Sequence, residues 1–317
     1  MRAALLLNLN AGRGRAASIA ASLDAALRAR GVLAERIDVH APDAESHLAA
    51  AASELDAIIV MGGDGTVHHA LPMLLHTKAA LYHFALGTEN LVARELGHRA
   101  DTSHAARLIA AGRTRTLDTG SIATSTVPNQ STSPTPFVVM ASMGPDASVV
   151  HRLDATRNGP ISHLSYLRPI LAELVRPVLP RMSIEADGVT LVTDKAGLLV
   201  VANSRQYALR TDPAPEARPD DGLLDVAFFP ASHAVAAGIW LLRSRLRLAH
   251  GCVRAQARQI TIWTSDPRSR LQVDGEALRL AAPIPAAHDQ MALDPQVHGE
   301  TKLSIMINPG SLRVFTL

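Results

Sequence analysis

The sequence predicts an α/β domain built on a parallel sheet, followed by a β-rich domain of antiparallel strands. Three observations predict it. Strand-like and helix-like segments alternate strictly through the first third of the chain, the order that gives a parallel sheet with helices on its faces. Beyond about residue 117 helical periodicity thins, and short β-rich runs separated by Pro and Gly suggest a sandwich or a barrel. At 317 residues, 47% of them hydrophobic and 19% charged, the chain is long enough for two domains and rich enough in apolar residues to pack a core.

Taken in order, residues 3–10 read as a buried strand, 16–30 as a helix ended by Gly31, 32–39 as a second strand, 43–53 as a helix and 56–61 as a third strand. Residues 66–75 have helical period with Thr66 as N-cap, 79–85 are strand-like, and 101–111 form a helix closed by Gly112. The β-rich runs are 116–123, 137–142, 181–186, 197–203, 224–229, 257–263 and 270–273, with helices expected at 162–175 and 233–249. The Ser/Thr/Pro-rich stretch 124–136 reads as a flexible hairpin loop, and 283–300 as an irregular insertion.

Composition narrows the function. Aromatic residues make up only 3%, so the core must rest on Ala, Leu, Val and Ile. Lys+Arg 31 against Asp+Glu 29 is too balanced to favour a nucleic-acid partner, despite a pI near 9.0. The single Cys252 excludes a disulfide framework and a Cys-based zinc site, reads as a small buried residue, and fits a cytoplasmic protein. The apolar stretch 3–7 is too short for a secretory signal, and 226–242, interrupted by Pro230 and His233, falls short of the ~20 apolar residues that span a bilayer.

Two glycine-rich segments compete as phosphate sites. Gly12-Arg13-Gly14-Arg15-Ala16-Ala17 satisfies a dinucleotide fingerprint, with Asp38 as the ribose-binding acid, but Asn8 and Asn10 sit awkwardly in the strand that should precede it. Gly62-Gly63-Asp64-Gly65-Thr66 follows the apolar run 57–61 directly. Its glycines let backbone N–H groups approach a phosphate at a helix N-terminus, and Asp64 offers a carboxylate toward a bound nucleotide or an attacking hydroxyl.

Further blocks follow in order: Leu86-Gly87-Thr88-Glu89-Asn90, Leu117-Asp118-Thr119-Gly120, Gly144-Pro145-Asp146-Ala147, Asp221-Gly222-Leu223-Leu224-Asp225 and Asp274-Gly275-Glu276, all after an opening Asn8-Leu9-Asn10-Ala11-Gly12. This ordered set resembles the diacylglycerol kinase catalytic-domain family, lipid kinases related to sphingosine and ceramide kinases and more distantly to NAD kinases. The resemblance implies an NAD kinase-like α/β nucleotide-binding domain at 1–120, rejoined by 303–317, and a β-sandwich domain at 121–302. It implies ATP between them, contacted by Asn8, Gly12, Gly62, Gly63, Asp64, Gly65, Thr66, His68, Thr88 and Asn90. It further implies Mg2+ on Asp221 and the carbonyl of Leu223, Glu276 or Asp274 as general base, and Asp64 and Asp118 as acidic members of the site.

The chain departs from the family where Asn-Glu usually follows the glycine loop: here His68-His69 stand there, so His68 is expected to take over a nucleotide contact. Leu9 and Ala11 replace a Pro and a Ser, Leu91 an Asp, and 206–210 a Gly-rich stretch. Adjacent helical residues point about 100° apart, which argues against a His68–His69 metal site. Arg243, Arg245, Arg247, Arg254 and Arg258 lie in a stretch without acids, either a solvated face or a dock for anionic lipid heads. The expected activity is ATP-dependent phosphorylation of a hydroxyl on a lipid-like acceptor, with contact at a membrane surface and a homodimer as permitted assembly. The alternatives are an NAD kinase-like enzyme and a nucleotide-binding protein of this fold without kinase activity.

Overall fold

The computed structural model describes residues 1–125, 132–155, 177–233, 251–280 and 301–317, with isolated positions 170, 172, 173, 175, 235, 236, 239 and 243 between them. The first part runs β1 (Arg2–Leu7), α1 (Ala16–Arg28), β2 (Leu33–Asp38), α2 (Ala44–Ala51), β3 (Ala57–Gly62), α3 (Asp64–Leu74), β4 (Ala80–Ala85), α4 (Leu91–Leu96) and α5 (Thr102–Ala111). Its strands form a parallel sheet in the order β2-β1-β3-β4. Alternate residues of β3 enter opposite cores: Ile58 and Val60 pack with Leu71 and Leu81, Ile59 and Met61 with Leu23 and Tyr82. A strand buried on both faces is the mark of a helix-covered parallel sheet.

Three local differences from the sequence reading have simple causes. β1 ends at Leu7, because Asn8 turns the chain by accepting from the Asn10 N–H through Oδ1 at 3.1 Å. Helix α3 starts two residues early, with Gly63 rather than Thr66 at its N-cap; Thr66 Oγ1 instead meets Asn8 Nδ2 at 3.2 Å. Helix α4 was missed because six residues are too few to show a period.

The second part comprises β5 (Thr114–Ser125), β6 (Thr135–Phe137), β7 (Met140–Met143), α6 (Pro145–Ala155), β8 (Arg181–Ala186), β9 (Val189–Ala202), β10 (Leu224–Pro230), β11 (Val253–Ala257), β12 (Gln259–Thr264), β13 (Leu271–Val273), β14 (Glu276–Leu278) and β15 (Thr301–Phe315). One antiparallel layer runs β14-β13-β7-β9-β10-β11 and the other β9-β8-β12-β15-β5-β6, the long β9 serving both. Between the layers pack Ile122, Phe137, Ile184, Val201, Phe228 and Leu303. The β-rich part is a sandwich, not a barrel.

The run expected at 137–142 divides into β6 and β7, because the N–H groups of Val138 and Val139 turn to a side chain, that of Asp274. The run at 257–263 divides likewise into β11 and β12, and α6 is an addition. The helices expected at 162–175 and 233–249 and the insertion at 283–300 lie outside the described residues apart from isolated positions, as does the 126–131 part of the expected loop.

Strand β15 joins the two parts. It pairs with β12 and β5 in the sandwich, shifts register between Asn308 and Leu312, and then lies parallel to β4 through Val314 and Leu81. Asp118, buried on β5, pins this shift: Oδ1 accepts from the Gly310 N–H and Oδ2 from the Gly222 N–H, both at 2.7 Å.

Candidate active site

The carboxyl ends of β3 and β4 lie side by side, and each runs into a glycine turn that opens a helix. Open α/β sheets bind ligands at such strand ends. Gly63 and Gly87 face each other closely: a Cβ on Gly87 would fall 2.5 Å from the Gly63 Cα. Asn90, in the left-handed region at φ 51°, holds the second turn by accepting from the Gly87 N–H and donating to the Gly87 carbonyl, both at 2.9 Å. No side chain caps α3, so its first N–H groups are open to an anion. Asp64 ties the two turns together, Oδ1 accepting from the Val92 N–H at 3.1 Å.

A buried histidine pair supports the first turn from beneath. His83 Nε2 lies 3.1 Å from the Gly62 carbonyl, His98 Nδ1 accepts from the His83 N–H, and His98 Nε2 meets the Phe315 carbonyl. Burial lowers the pKa of both, that of His98 to about 4, so both stay neutral and hold these bonds at ordinary pH. Sequence reasoning missed this pair, because His83 on β4 and His98 in the loop after α4 belong to no motif.

The opposite wall is the β13–β14 hairpin. Asp274 at φ 51° and Gly275 at φ 86° form its two-residue turn, the conformation such hairpins favour. The buried Asp274 carboxylate accepts from three backbone N–H groups, Val138 at 2.8, Val139 at 2.8 and Met140 at 3.0 Å. Glu276, at the start of β14, lies across the cleft against α3: a Cβ on Gly65 would fall 2.1 Å from Glu276 Oε1. Beside it Gln272 accepts from the Gly275 N–H and donates to Ser142, and both Ser142 and Tyr207 donate to Asp146. Burial raises the Asp146 carboxyl, against the lowering effect of those two hydroxyls.

Between these walls lies a cleft of about 2450 Å³, which continues from the glycine turns over the apolar side chains of Val149, Val150, Leu198 and Phe229. It is lined by Asn8, Gly12, Gly63, Asp64, Gly65 and Thr66, and also by Thr88, Asp274 and Glu276. Gly62 and Asn90 brace the turns from behind. His68 does not line the cleft; His69 does, because His68 Nδ1 faces inward, 3.7 Å from Asp274 Oδ2. Asp118 also lies away from it, with both oxygens occupied by Gly222 and Gly310. Asp221 borders a separate cavity of about 450 Å³ with Glu216 and Asp225, and Leu223 donates to Asp221 Oδ1 in the same turn.

Substituting Gly87 tests the close approach of the turns. In Gly87→Ala the new Cβ meets backbone that no rotamer change can move, a strain of about 1–3 kcal/mol. A purified Gly87→Ala protein is expected to melt several degrees lower in a thermal-unfolding measurement.

Residues 2–122 match the diacylglycerol kinase catalytic domain, and residues 139–316 match the YegS C-terminal NAD kinase beta sandwich-like domain. A diacylglycerol kinase of Mycobacterium tuberculosis is 34% identical over 226 residues, covering 70% of this chain and 71% of that protein. The chain belongs to the diacylglycerol kinase family. The solved structure of a diacylglycerol kinase from Bacillus anthracis superposes with a TM-score of 0.67 at 18% identity, covering 100% of this chain and 97% of that one, which speaks for the fold. An uncharacterized protein of Synechocystis is 22% identical over 258 residues, covering 81% of this chain and 54% of that protein. As a member of the diacylglycerol kinase family, the chain has that family's fold, and its membership supports a lipid kinase-like function. Among the described residues, no helix is long and apolar enough to cross a membrane.

Proposed function

We propose that the protein transfers the γ-phosphoryl group of ATP to a hydroxyl of a lipid acceptor. The observation that carries this is the cleft, which sets a glycine phosphate cradle opposite the Glu276 carboxylate and continues into an apolar arm suited to hydrocarbon. The cradle suits a phosphate, since Gly63, Gly65 and Gly87 line the cleft and no side chain caps the first N–H groups of α3. In the proposed reaction Glu276 takes the acceptor's hydroxyl proton and the acceptor oxygen bonds to the γ-phosphorus. The bond to the bridging oxygen breaks, and ADP leaves with that electron pair. The N–H groups at the start of α3 face the phosphate charge, and Asp274 holds the hairpin that aims Glu276. The division into 1–120 with 303–317 and 121–302 belongs to the same proposal.

Magnesium would sit at the Asp221 turn. The donors there are hard oxygens, and burial raises the Asp225 carboxyl, with the neighbouring Asp221 and Glu216 charges adding to that against a hydrogen bond from Gln256. Among the described residues no cluster of three acids, histidines or cysteines is preassembled for a metal, so the ion would rest on the Asp221 carboxylate, the Leu223 carbonyl and water. Bound there, it would supply charge neutralisation and rigidity to the turn. Saturating magnesium is expected to raise the melting temperature of the wild type, by linked binding energy of roughly 2–3 kcal/mol at a hundredfold excess over Kd. Asp221→Asn should abolish the rise, and a wild type indifferent to magnesium and chelator would remove the site.

Contact with a membrane surface remains part of the proposal, although Arg254 donates to Cys252 Sγ and the Pro213 carbonyl, and Arg245 and Arg247 lie outside the described residues. The deciding experiment incubates the protein with ATP, magnesium and total lipid extract, with NAD in a parallel reaction, and reads products by mass spectrometry. A phosphorylated lipid supports the proposal; phosphorylated NAD alone, or no product, overturns it.

A further inference from the structure

One block of the sequence, Gly144-Pro145-Asp146-Ala147, has no part in the proposed reaction, yet Asp146 lines the cleft together with Tyr207 and Gln272. Its Oδ2 accepts from both the Ser142 and the Tyr207 hydroxyls. Its Oδ1 is buried, and among the described residues no donor reaches it. Burial raises the carboxyl's pKa, against the two hydroxyls and the nearby N–H groups of Ala147 and of Asp146 itself, none of which bonds Oδ1. A buried oxygen without a donor is costly to keep, so a group bound in the cleft is the partner that the fold does not supply.

Two sets of contacts place this oxygen at the head of the apolar arm. Toward the reaction, Gln272 donates to Ser142 at 2.6 Å and accepts from the Gly275 N–H at 2.8 Å, so one glutamine separates the Asp146 cluster from the turn that carries Glu276. Helix α6 packs on both strands of that hairpin. Toward the hydrocarbon, Val149 and Val150 follow Asp146 by three and four positions on α6, hence on one face of the helix, and both line the cleft. A lipid lying along α6 with its reacting hydroxyl at Glu276 passes its neighbouring head-group atoms by Asp146 and its chain over the valines.

We propose that Asp146, braced by Tyr207 and Ser142, is a specificity residue that accepts a hydrogen bond from a second free hydroxyl of the lipid acceptor. The preferred acceptor is a single-chain lipid with two neighbouring hydroxyls, one phosphorylated and one bound at Asp146. A lipid esterified at that second position has no donor there and leaves Oδ1 unmet. The fate of the first hydroxyl rests on the kinase reading; the binding of the second does not.

The test uses a monoacylglycerol, its deoxy analogue without the secondary hydroxyl, and the analogue in which that hydroxyl is methylated. Calorimetric titration of the full chain below the micelle concentration, without ATP, is expected to show the monoacylglycerol binding ~10–100-fold more tightly than either analogue, the range of a hydrogen bond to a charged acceptor. KM for phosphorylation should follow the same order with kcat little changed. Asp146→Asn is the informative variant. The two hydroxyls hold the amide oxygen at the Oδ2 position, which puts the amide nitrogen where Oδ1 stood. That nitrogen donates and cannot accept, so the preference for the free hydroxyl should vanish and the methylated analogue should bind at least as well. No binding, or equal affinity of the wild type for all three ligands, overturns the proposal, and this comparison needs no variant to fold. An Asp146→Asn protein that keeps the preference overturns it too, as does one that only lowers kcat for every acceptor alike. A wild type that binds the monoacylglycerol selectively but phosphorylates no lipid would sink the kinase reading alone.

Discussion

Glu276→Gln is expected to lower kcat by ~10²–10⁴-fold while the KM for ATP stays nearly constant. Glutamine keeps the size and polarity of the side chain but cannot take the acceptor's proton. The Glu276 carboxylate meets α3 at Gly65, away from the Gly63–Gly87 cradle where phosphates would lie, so nucleotide affinity should survive. Asp274→Asn is the informative comparison. Its carboxylate is buried and already serves three backbone N–H groups, so its work is to hold the hairpin turn. An amide nitrogen there would face a donor, costing about 1–3 kcal/mol of stability. The expected pair of results is an inactive but stable Glu276→Gln and an unstable Asp274→Asn. A fully active Glu276→Gln would move the base elsewhere.

The second large effect is at Asp64. Asp64→Ala removes a charge from the cradle and leaves the Val92 N–H without its acceptor, so activity should fall by ~10²–10³-fold and stability by about 1 kcal/mol. Asp64→Asn separates the two, since the amide oxygen can still accept from Val92. It should melt within a degree or so of the wild type and remain strongly impaired. If Asp64→Asn turns over normally, the residue is a brace between α3 and α4 and nothing more.

The alternation of strands and helices, the glycine turn after β3 and the acidic hairpin after β13 were legible because each depends on local pattern: period, glycine content and a carboxylate beside a turn. Asp118 shows the limit of such reading. Its block suggested an acidic site member, yet its partners, Gly222 and Gly310, lie more than a hundred residues further along, and only the fold reveals that both oxygens are spent on them. His68 and His69 show a subtler limit. The sequence places both at the start of a helix, but which one faces the cleft depends on where the helix begins, and it begins two residues before the expected N-cap. The His83–His98 support and the Tyr207–Asp146 contact join residues distant in sequence.

Strand β15 has a bearing on how the chain acquires its activity. The His98 imidazole beneath the glycine turn is completed by the Phe315 carbonyl, 217 residues away, and the same strand closes both the sandwich and the edge of the parallel sheet. Contacts of such long range close late and slowly, because the entropy of a large loop must be overcome before they form. Support of the glycine turn is thereby tied to a joining event of very long sequence range. Intermediates in which β1–β4 have formed but β15 has not docked would have the glycine turn without its full support, so nucleotide binding during refolding should lag behind the recovery of helical signal.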